Sequence, residues 1–169
     1  MNVAATKTPF TPAELIAALR AAYVPQLGHD PSNDVLGVLC AQVALETGNG
    51  ASCICHNIGN FKAGEGPDVC SFTTTEWLGD PPAPQVMVCQ FSAWPTLEAA
   101  AEAYLHALYT RWPEAWSAAV KGDAQGFAAG LRQRGYYTAP LAQYVAGVER
   151  WQAYYLKLLS AEAPSSANA

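Results

Sequence analysis

One glutamate, Glu46, stands where this chain could place a catalytic acid. It lies near the end of a segment whose apolar residues recur at helical spacing, namely Val35, Leu36, Leu39, Cys40 and Val43. At about 100° per residue, Glu46 falls within about 20° of Val35 and Leu39 on the helical wheel. The pattern therefore predicts that Glu46 points toward the apolar face of the helix.

A carboxyl group at this place is suited to acid catalysis. Burial disfavours the carboxylate anion, and so does the negative end of the helix dipole, so we expect the pKa of Glu46 to be raised. Hydrolysis of a glycosidic bond needs such an acid to protonate the leaving oxygen, together with a second group for the oxocarbenium-like centre. The segment alone leaves an alternative open, in which the stem of Glu46 packs and its head reaches solvent.

Local sequence signals predict the helices that would position this glutamate. Pro31-Ser32-Asn33-Asp34 supplies a start for its helix and Gly48 a stop, and Thr11 with Glu14 forms a capping box for an earlier helix that runs to about Tyr23. Further helical patterns follow, one from Thr96 to about Trp112, a short one to about Val120, one from about Asp123 to Gly135 and a last one to Leu159.

A loop and two strands separate the second of these helices from the third. Residues 49–71 show no sustained period, and two strand patterns follow at Phe72–Leu78 and Gln85–Phe91. The prolines between the strands are expected to exclude regular ladder pairing there. The predicted fold is mainly α, of the α+β class. It consists of a helical body that carries a small lobe made of a β-hairpin and loops. The groove between body and lobe is the expected substrate site.

Composition limits the classes of function. The chain has 169 residues, of which 51% are hydrophobic and 14% charged, with a net charge of -5. This predicts one domain over residues 11–159, with a flexible lead-in at 1–10 and a disordered tail at 160–169. The chain lacks a basic stripe for nucleic acid and an apolar run long enough to enter a membrane. We expect a monomer that uses no cofactor or metal.

Four cysteines cluster in the loop and hairpin region, at Cys53, Cys55, Cys70 and Cys89. Cys53 and Cys55 are too close to bridge each other comfortably, so each is expected to pair with Cys70 or Cys89 in one of two connectivities. Disulfides would imply an oxidising working compartment. A zinc site from Cys53, Cys55, His56 and Cys70 is the alternative, although its spacing fits no common zinc motif.

Four short motifs resemble the bacterial glucosaminidases of glycoside hydrolase family 73. Glu46-Thr47-Gly48-Asn49-Gly50-Ala51-Ser52 is similar to Glu-Ser-x-Trp-Gly-x-Ser, and Asn57-Ile58-Gly59-Asn60-Phe61-Lys62-Ala63 resembles Asn-Leu-Phe-Gly-Ile-Lys. Thr74-Thr75-Glu76-Trp77 is similar to Thr-Thr-Glu-Tyr, and Gly135-Tyr136-Tyr137-Thr138-Ala139-Pro140 resembles Gly-Tyr-Ala-Thr-Asp-Pro. The four stand in the family's order, and the chain departs from the family at Asn49, Gly59, Asn60 and Ala139.

The resemblance implies a lysozyme-like fold and roles for five residues. Glu46 would be the general acid and Glu76 the second carboxylate, with Asn57, Phe61 and Tyr136 binding the sugar. Read from the residues alone, Glu76 could also be an exposed strand residue, Asn57 a cap of its own loop and Tyr136 half-buried packing. Family members differ over whether a second carboxylate, water or the substrate's acetamido group completes the reaction.

The expected substrate is the glycan strand of peptidoglycan, and the expected activity is that of an N-acetylglucosaminidase. Muramidase, lytic transglycosylase and a module that binds glycan without cutting it are the alternatives. Since the N-terminus shows no secretory signal, the chain most resembles compact effectors of type VI secretion. Such effectors are made in the cytoplasm, act in a rival's periplasm and are blocked by a cognate immunity protein. A phage endolysin is the runner-up.

Overall fold

Six helices and three strands make up the part of the chain that the computed structural model describes, residues 1–79 and 83–162. In chain order they are β1 (Asn2–Val3), α1 (Pro12–Leu27), α2 (Asn33–Thr47), β2 (Asp68–Leu78), β3 (Ala83–Ala93), α3 (Leu97–Arg111), α4 (Pro113–Ala119), α5 (Ala124–Gln133) and α6 (Leu141–Glu162). A helical body with a hairpin and loop lobe between α2 and α3 is the architecture that the sequence predicts, and it is confirmed.

Capping residues begin α1 and α2 and end α2 where the sequence places them, whereas α1 continues to Leu27, past the predicted end near Tyr23. The Glu14 backbone N–H donates to the Thr11 hydroxyl at 3.3 Å, and the Thr11 backbone N–H donates to the Glu14 carboxylate at 2.7 Å. Ser32 caps the start of α2, and Gly48 ends it with a φ of 58° in the left-handed region. These local signals fix the last turn of α2, where Glu46 lies.

Helix α2 lies at the centre of the body. Every residue from Val35 to Ala44 is buried, including the polar Gln42, and the helix packs mainly against α6. Gly37 permits this approach, because a Cβ at that position would lie 3.2 Å from the side chain of Leu156 on α6. The helix that carries Glu46 is thus enclosed by the body along most of its length.

The lobe is a three-stranded sheet in the order β1-β2-β3. Strands β2 and β3 pair antiparallel from Asp68↔Ala93 to Leu78↔Ala83, and the pairing includes Pro84 opposite Trp77. The expectation that the prolines exclude ladder pairing is therefore wrong at Pro84. The reason is that β3 lies at the edge of the sheet, where a missing N–H is tolerated.

The first ten residues contact the lobe and the body. Val3 pairs in parallel with Cys70, Lys7 forms an isolated bridge with Ile54, and Phe10 is buried in the main core. At the other end, α6 continues to residue 162, and residues 163–169 of the expected tail lie outside the described part. Among the described helices, none combines the length and hydropathy needed to cross a bilayer.

Candidate functional site

A cleft of about 590 Å³ lies between the body and the lobe. The body contributes the ends of α2 and α3 and the loop before α6. The lobe contributes the loop after α2 and the hairpin. Residues on its walls include Glu46, Thr47, Ser52, Asn57, Asn60, Phe61, Lys62, Glu65, Thr74, Glu76, Phe91, Arg111, Trp112 and Tyr136. All five residues predicted to act on the substrate line this one cleft.

Glu46 reaches the cleft from the last turn of α2. Its Oε1 accepts a hydrogen bond from the Tyr144 hydroxyl on α6 at 2.8 Å, and its Oε2 accepts a long one from the Asn60 amide at 3.5 Å. Burial raises the pKa of Glu46, and this effect exceeds the lowering by hydrogen bonds from Tyr144, Asn60 and Gln42. The predicted raised pKa is confirmed, and the site can hold a carboxylic acid that faces the cleft.

A network of buried polar groups holds the Tyr144 hydroxyl in place. Gln42, one turn before Glu46 on α2, accepts from the Tyr104 hydroxyl at 2.5 Å. Its amide nitrogen donates to the hydroxyls of Tyr136 at 2.7 Å and Tyr144 at 3.5 Å. Because Gln42 donates to Tyr144, the Tyr144 proton is free to point at Glu46. The orientation of the acid therefore depends on residues from three helices and one loop.

Glu76 faces the same cleft from strand β2 of the lobe. Lys62 donates to its Oε1 in an ion pair, and the Lys62 ammonium also lies 4.2 Å from the ring centre of Phe91. The second oxygen of Glu76 has no protein hydrogen bond within the described residues. The cleft thus brings together a carboxyl group from the body and another from the lobe.

Asn57 and Phe61 form the floor of the cleft. The Asn57 amide donates to the Phe61 carbonyl at 2.8 Å, and its Oδ1 accepts from the Phe61 N–H at 2.8 Å. The Phe61 ring stacks on Trp112 at 6.0 Å and is buried. Asn57 therefore caps its own loop, which is one of the two interpretations of the sequence. The buried ring of Phe61 supports this loop at the floor of the cleft.

Tyr136 ties the cleft loop to the body. Its hydroxyl donates to the carbonyl of Gly59 and accepts from Gln42, while its ring meets Trp112 edge-on at 4.9 Å. Both hydrogen-bonding directions of the hydroxyl are used within the protein. The half-buried ring lines the cleft, so Tyr136 can contact a ligand through its ring while its hydroxyl fixes the loop.

A second ion pair lines the cleft, and this one joins the body to the lobe. Arg111 at the end of α3 pairs with Glu65 in the lobe loop, and both side chains line the cleft. The Arg111 guanidinium lies 4.5 Å from the ring centre of Trp112, whose buried Nε1 has no hydrogen-bond partner among the described residues. Of the two ion pairs at the cleft, Lys62–Glu76 lies within the lobe and Arg111–Glu65 joins the lobe to the body.

Glu46 also lines a second cavity, of about 370 Å³. This cavity is lined by Leu45, Glu46, Tyr137, Thr138, Ala139, Gln143 and Tyr144. The Tyr137 ring stacks face to face on Tyr144 with centroids 3.6 Å apart. Glu46 is therefore a lining residue of both cavities.

Comparisons with known proteins found similar solved structures but no matching family model. No protein-family model matches the chain, and no curated protein does. A peptidoglycan hydrolase mutant from Sphingomonas sp. A1 is 26% identical with a TM-score of 0.63, over 89% of this chain and 93% of that one. A C-terminally truncated glycoside hydrolase domain of Salmonella typhimurium FlgJ is 25% identical with a TM-score of 0.55, over 89% of this chain and 96% of that one.

A third solved structure supports the fold alone. The catalytic domain of the autolysin Auto from Listeria monocytogenes is 18% identical with a TM-score of 0.62, over 90% of this chain and 89% of that one. The predicted lysozyme-like fold, a helical body with a small lobe, is confirmed by these similarities.

Sequence reasoning missed three residues around the acid. Tyr144 lies on the last helix, and its hydroxyl bonds to Glu46. Asn60 was noted as a departure from the resembling motif, yet its amide is the group that meets Glu46 Oε2. Gln42 carried a signal that could have found it, because it is the one polar side chain in an otherwise apolar run of α2.

The four lobe cysteines are thiols in the structure. Cys53 packs in the main core, whereas Cys55 and Cys70 pack together in a small lobe cluster that Cys89 borders. No group of three or more His, Cys, Asp or Glu side chains that could hold a metal occurs in residues 1–79 and 83–162. The alternative zinc site is thus not assembled there, and the disulfides stay a prediction.

Proposed function

We propose that this chain hydrolyses the glycan strands of peptidoglycan, with Glu46 as the general acid. The observation that carries the proposal is a glutamate with a raised pKa, held by Tyr144 in the wall of a cleft that a sugar polymer could cross. The substrate class is supported by similarity to a peptidoglycan hydrolase at 26% identity and a glycoside hydrolase domain at 25%. The four motifs shared with family 73 support the finer assignment as an N-acetylglucosaminidase.

In this mechanism the two oxygens of Glu46 have different tasks. Oε1 accepts the short hydrogen bond from Tyr144, so the transferable proton belongs on Oε2, which has only the long contact with Asn60. Oε2 would protonate the glycosidic oxygen as the bond to the anomeric carbon breaks. The lost proton leaves an anion that Tyr144 and Asn60 can stabilise by donating to it.

Glu76 is the candidate for the opposite side of the reacting sugar. Its Oε1 is held by Lys62, which leaves Oε2 to accept a proton from a water or to stabilise the developing positive charge.

Mass spectrometry of the released fragments tests the bond specificity. N-acetylglucosamine at the new reducing end supports the proposal, whereas N-acetylmuramic acid indicates a muramidase and an anhydro end a transglycosylase.

The Glu46→Gln variant tests the identity of the acid. The substitution keeps the shape of the side chain and removes its transferable proton, so release of soluble fragments from purified sacculi should fall about 10²–10⁴-fold. Glu102→Gln is the matched control, because Glu102 is an exposed carboxylate on α3 outside the cleft. A folded Glu46→Gln protein that cuts sacculi at the parent rate would disprove the assignment. Binding to sacculi by the parent without release of fragments would indicate a non-cutting module.

The same variant has an expected effect on stability. Because burial raises the folded-state pKa of Glu46, the folded protein keeps this proton over a pH range in which the unfolded chain loses it. The parent should therefore lose stability as the pH rises from the unfolded pKa to the folded pKa. Glu46→Gln cannot lose that proton, so its Tm relative to the parent should increase across the same range. A difference in Tm that does not change with pH would contradict a raised pKa.

We further propose that the protein acts in the periplasm as an antibacterial effector with a cognate immunity protein. Support comes from the substrate class, since sacculi lie in that compartment in Gram-negative cells. Expression of the chain with an export signal should lyse cells. Two controls should not cause lysis: the chain expressed without an export signal, and the exported Glu46→Gln variant. Lethal cytoplasmic expression would contradict the proposal. A neighbouring gene for an exported inhibitor supports an effector, and a holin gene indicates a phage endolysin.

A further inference from the structure

Two buried cysteines of the lobe pack in the same small cluster. Cys55 belongs to the loop after α2 and Cys70 to strand β2, and they are 6% and 1% exposed. They pack together in one small buried cluster with Phe91 and Ala93. Cys53, two residues before Cys55, packs instead in the main core of the body. The chain therefore separates two cysteines that are neighbours in the sequence.

The N-terminal segment covers this pair of thiols. The Cys55 thiol accepts from the Thr6 backbone N–H at 3.5 Å and donates to the Ala4 carbonyl at 3.5 Å. Val3 pairs with Cys70 in the sheet, and the Met1 ammonium forms an ion pair with Asp68 at 2.8 Å. Once this segment is in place, the thiols have little access to reagents in solution.

We propose that Cys55 and Cys70 form a disulfide bond in the oxidised protein, while Cys53 and Cys89 remain thiols. The Cys55–Cys70 bond is part of one of the two connectivities expected from the sequence, but the Cys53–Cys89 bond of that connectivity is not proposed. A disulfide requires an S–S distance of about 2.05 Å, which two cysteines packed in one small cluster can reach by rotation of their side chains.

Cys89 is excluded as the partner of Cys70 by the register of the hairpin. Cys70 lies opposite Phe91 and Cys89 opposite Phe72, so the two cysteines are diagonal neighbours on one face of the sheet. Diagonal positions are about 7–8 Å apart between Cα atoms, whereas disulfides need about 4.4–6.8 Å. Cys55 is consequently the partner that the fold supplies for Cys70.

The bond forms by exchange with a disulfide oxidant, such as an oxidised dithiol protein. The thiolate of one cysteine attacks the oxidant's disulfide and forms a mixed disulfide, and the second thiolate then displaces the oxidant. The protein loses two protons and two electrons, and the oxidant leaves as a dithiol. Burial raises the pKa of Cys70 to about 12, so its thiolate is scarce in the folded protein. Oxidation is thus expected during folding, before the N-terminal segment covers the pair.

The cross-link would act on the cleft. It closes a segment of roughly 15 residues, which includes Asn57, Asn60 and Lys62 on the floor and wall of the cleft. At its other end it fixes the strand that carries Glu76. The inference itself does not depend on the proposed activity, because the bond is defined by covalent structure alone.

Peptide mapping of the full chain provides the direct test. Protein expressed in an oxidising compartment is alkylated under denaturing conditions without a reductant, digested and analysed by mass spectrometry. We expect one cross-linked pair of peptides joining Cys55 to Cys70, and alkylated Cys53 and Cys89. A cross-link that uses Cys53 or Cys89, or complete alkylation of all four, would overturn the proposal. Since the parent sequence is used, the result does not depend on whether a variant folds.

Thermal unfolding gives a second measurement. Reduction should lower the Tm of the oxidised parent by about 5–10 °C, as expected for a closed loop of this length. Cys89→Ser, which removes the half-buried thiol on the same sheet face, should show the same fall. Cys55→Ser and Cys70→Ser should show no dependence on the reductant. An equal dependence in Cys70→Ser and the parent would contradict the proposed bond.

Discussion

The body and the lobe contribute to the cleft in different ways. The body supplies Glu46, which is held by groups inside a closed core, since Gln42 and Tyr104 are fully buried. The lobe supplies Glu76 from a hairpin whose second strand is largely exposed, with Val86 75% and Val88 67% accessible. The buried environment sets the protonation of the acid, whereas the exposed one leaves the second carboxylate dependent on a few contacts.

This difference indicates which part of the site can move. Glu76 is connected to the rest of the protein through its strand and through Lys62, and the lobe loop reaches the body through the pair of Glu65 and Arg111. Such exposed ion pairs contribute little to stability, about 0–1 kcal/mol each. The hairpin can therefore shift at low cost relative to the lobe loop, which Phe61 and Tyr136 hold against the body, and the distance between the two carboxyl groups can change with it.

One substitution in the body core and one in the lobe core should show the largest difference between the two regions. Leu105→Ala removes a fully buried side chain from α3 in the body, and we expect the free energy of unfolding to fall by about 3–5 kcal/mol. Phe91→Ala removes a ring that stacks on Phe72 at 4.3 Å in the lobe. Because the lobe cluster is small and open, we expect Phe91→Ala to cost about half as much.

Chemical denaturation measures the global values, and hydrogen exchange shows where the protein opens. Phe91→Ala should increase the exchange of β2 and β3 amides while α2 stays protected. If both variants destabilise equally and the amides of α2 and β2 lose protection together, the body and the lobe unfold as one unit and the comparison is wrong.

Glu76→Gln tests the chemistry of the lobe carboxylate. If Glu76 activates water or stabilises the reacting sugar, fragment release should fall about 10–100-fold, less than for Glu46→Gln. The alkaline limb of the pH profile should stay unchanged, because it reports the acid on the body. Fragment release from sacculi between acid and alkaline pH is the measurement.

Lys62→Ala separates a chemical role of Glu76 from a positional one. This variant keeps the carboxylate and removes its ion pair, so it should lose less activity than Glu76→Gln. An equal loss in both variants would show that Glu76 acts by holding Lys62 and the cleft loop in place.

The helices of the body could be predicted because their signals are local. Thr11, Ser32 and Gly48 act on backbone groups within a few residues, and the apolar period is repeated within each helix. The strands were predicted shorter than they are, because residues near Asp68 are extended by pairing with β1 and β3, which no local pattern shows.

The site could be predicted only in part, because only some of its residues are placed by local signals. The position of Glu46 follows from the period of its own helix. Its donor Tyr144 is 98 residues away in the sequence, and only the packing of α6 on α2 brings the two together. The pair of Lys62 and Glu76 likewise depends on how the loop folds against the hairpin.

Tyr144→Phe tests whether the body sets the pKa of Glu46, with a smaller expected effect. The tyrosine hydroxyl donates to Glu46, which lowers the pKa of that carboxyl, so its removal should raise the pKa further. The alkaline limb of the pH profile should then move to higher pH, and the rate at the optimum should fall several-fold with one lost hydrogen bond. Tyr155→Phe is the matched control, since Tyr155 is a buried tyrosine on the same helix whose hydroxyl bonds to Asn49 at 2.7 Å. If both variants shift the limb equally, the shift reflects general loosening of α6, and the pKa of Glu46 is not set by Tyr144.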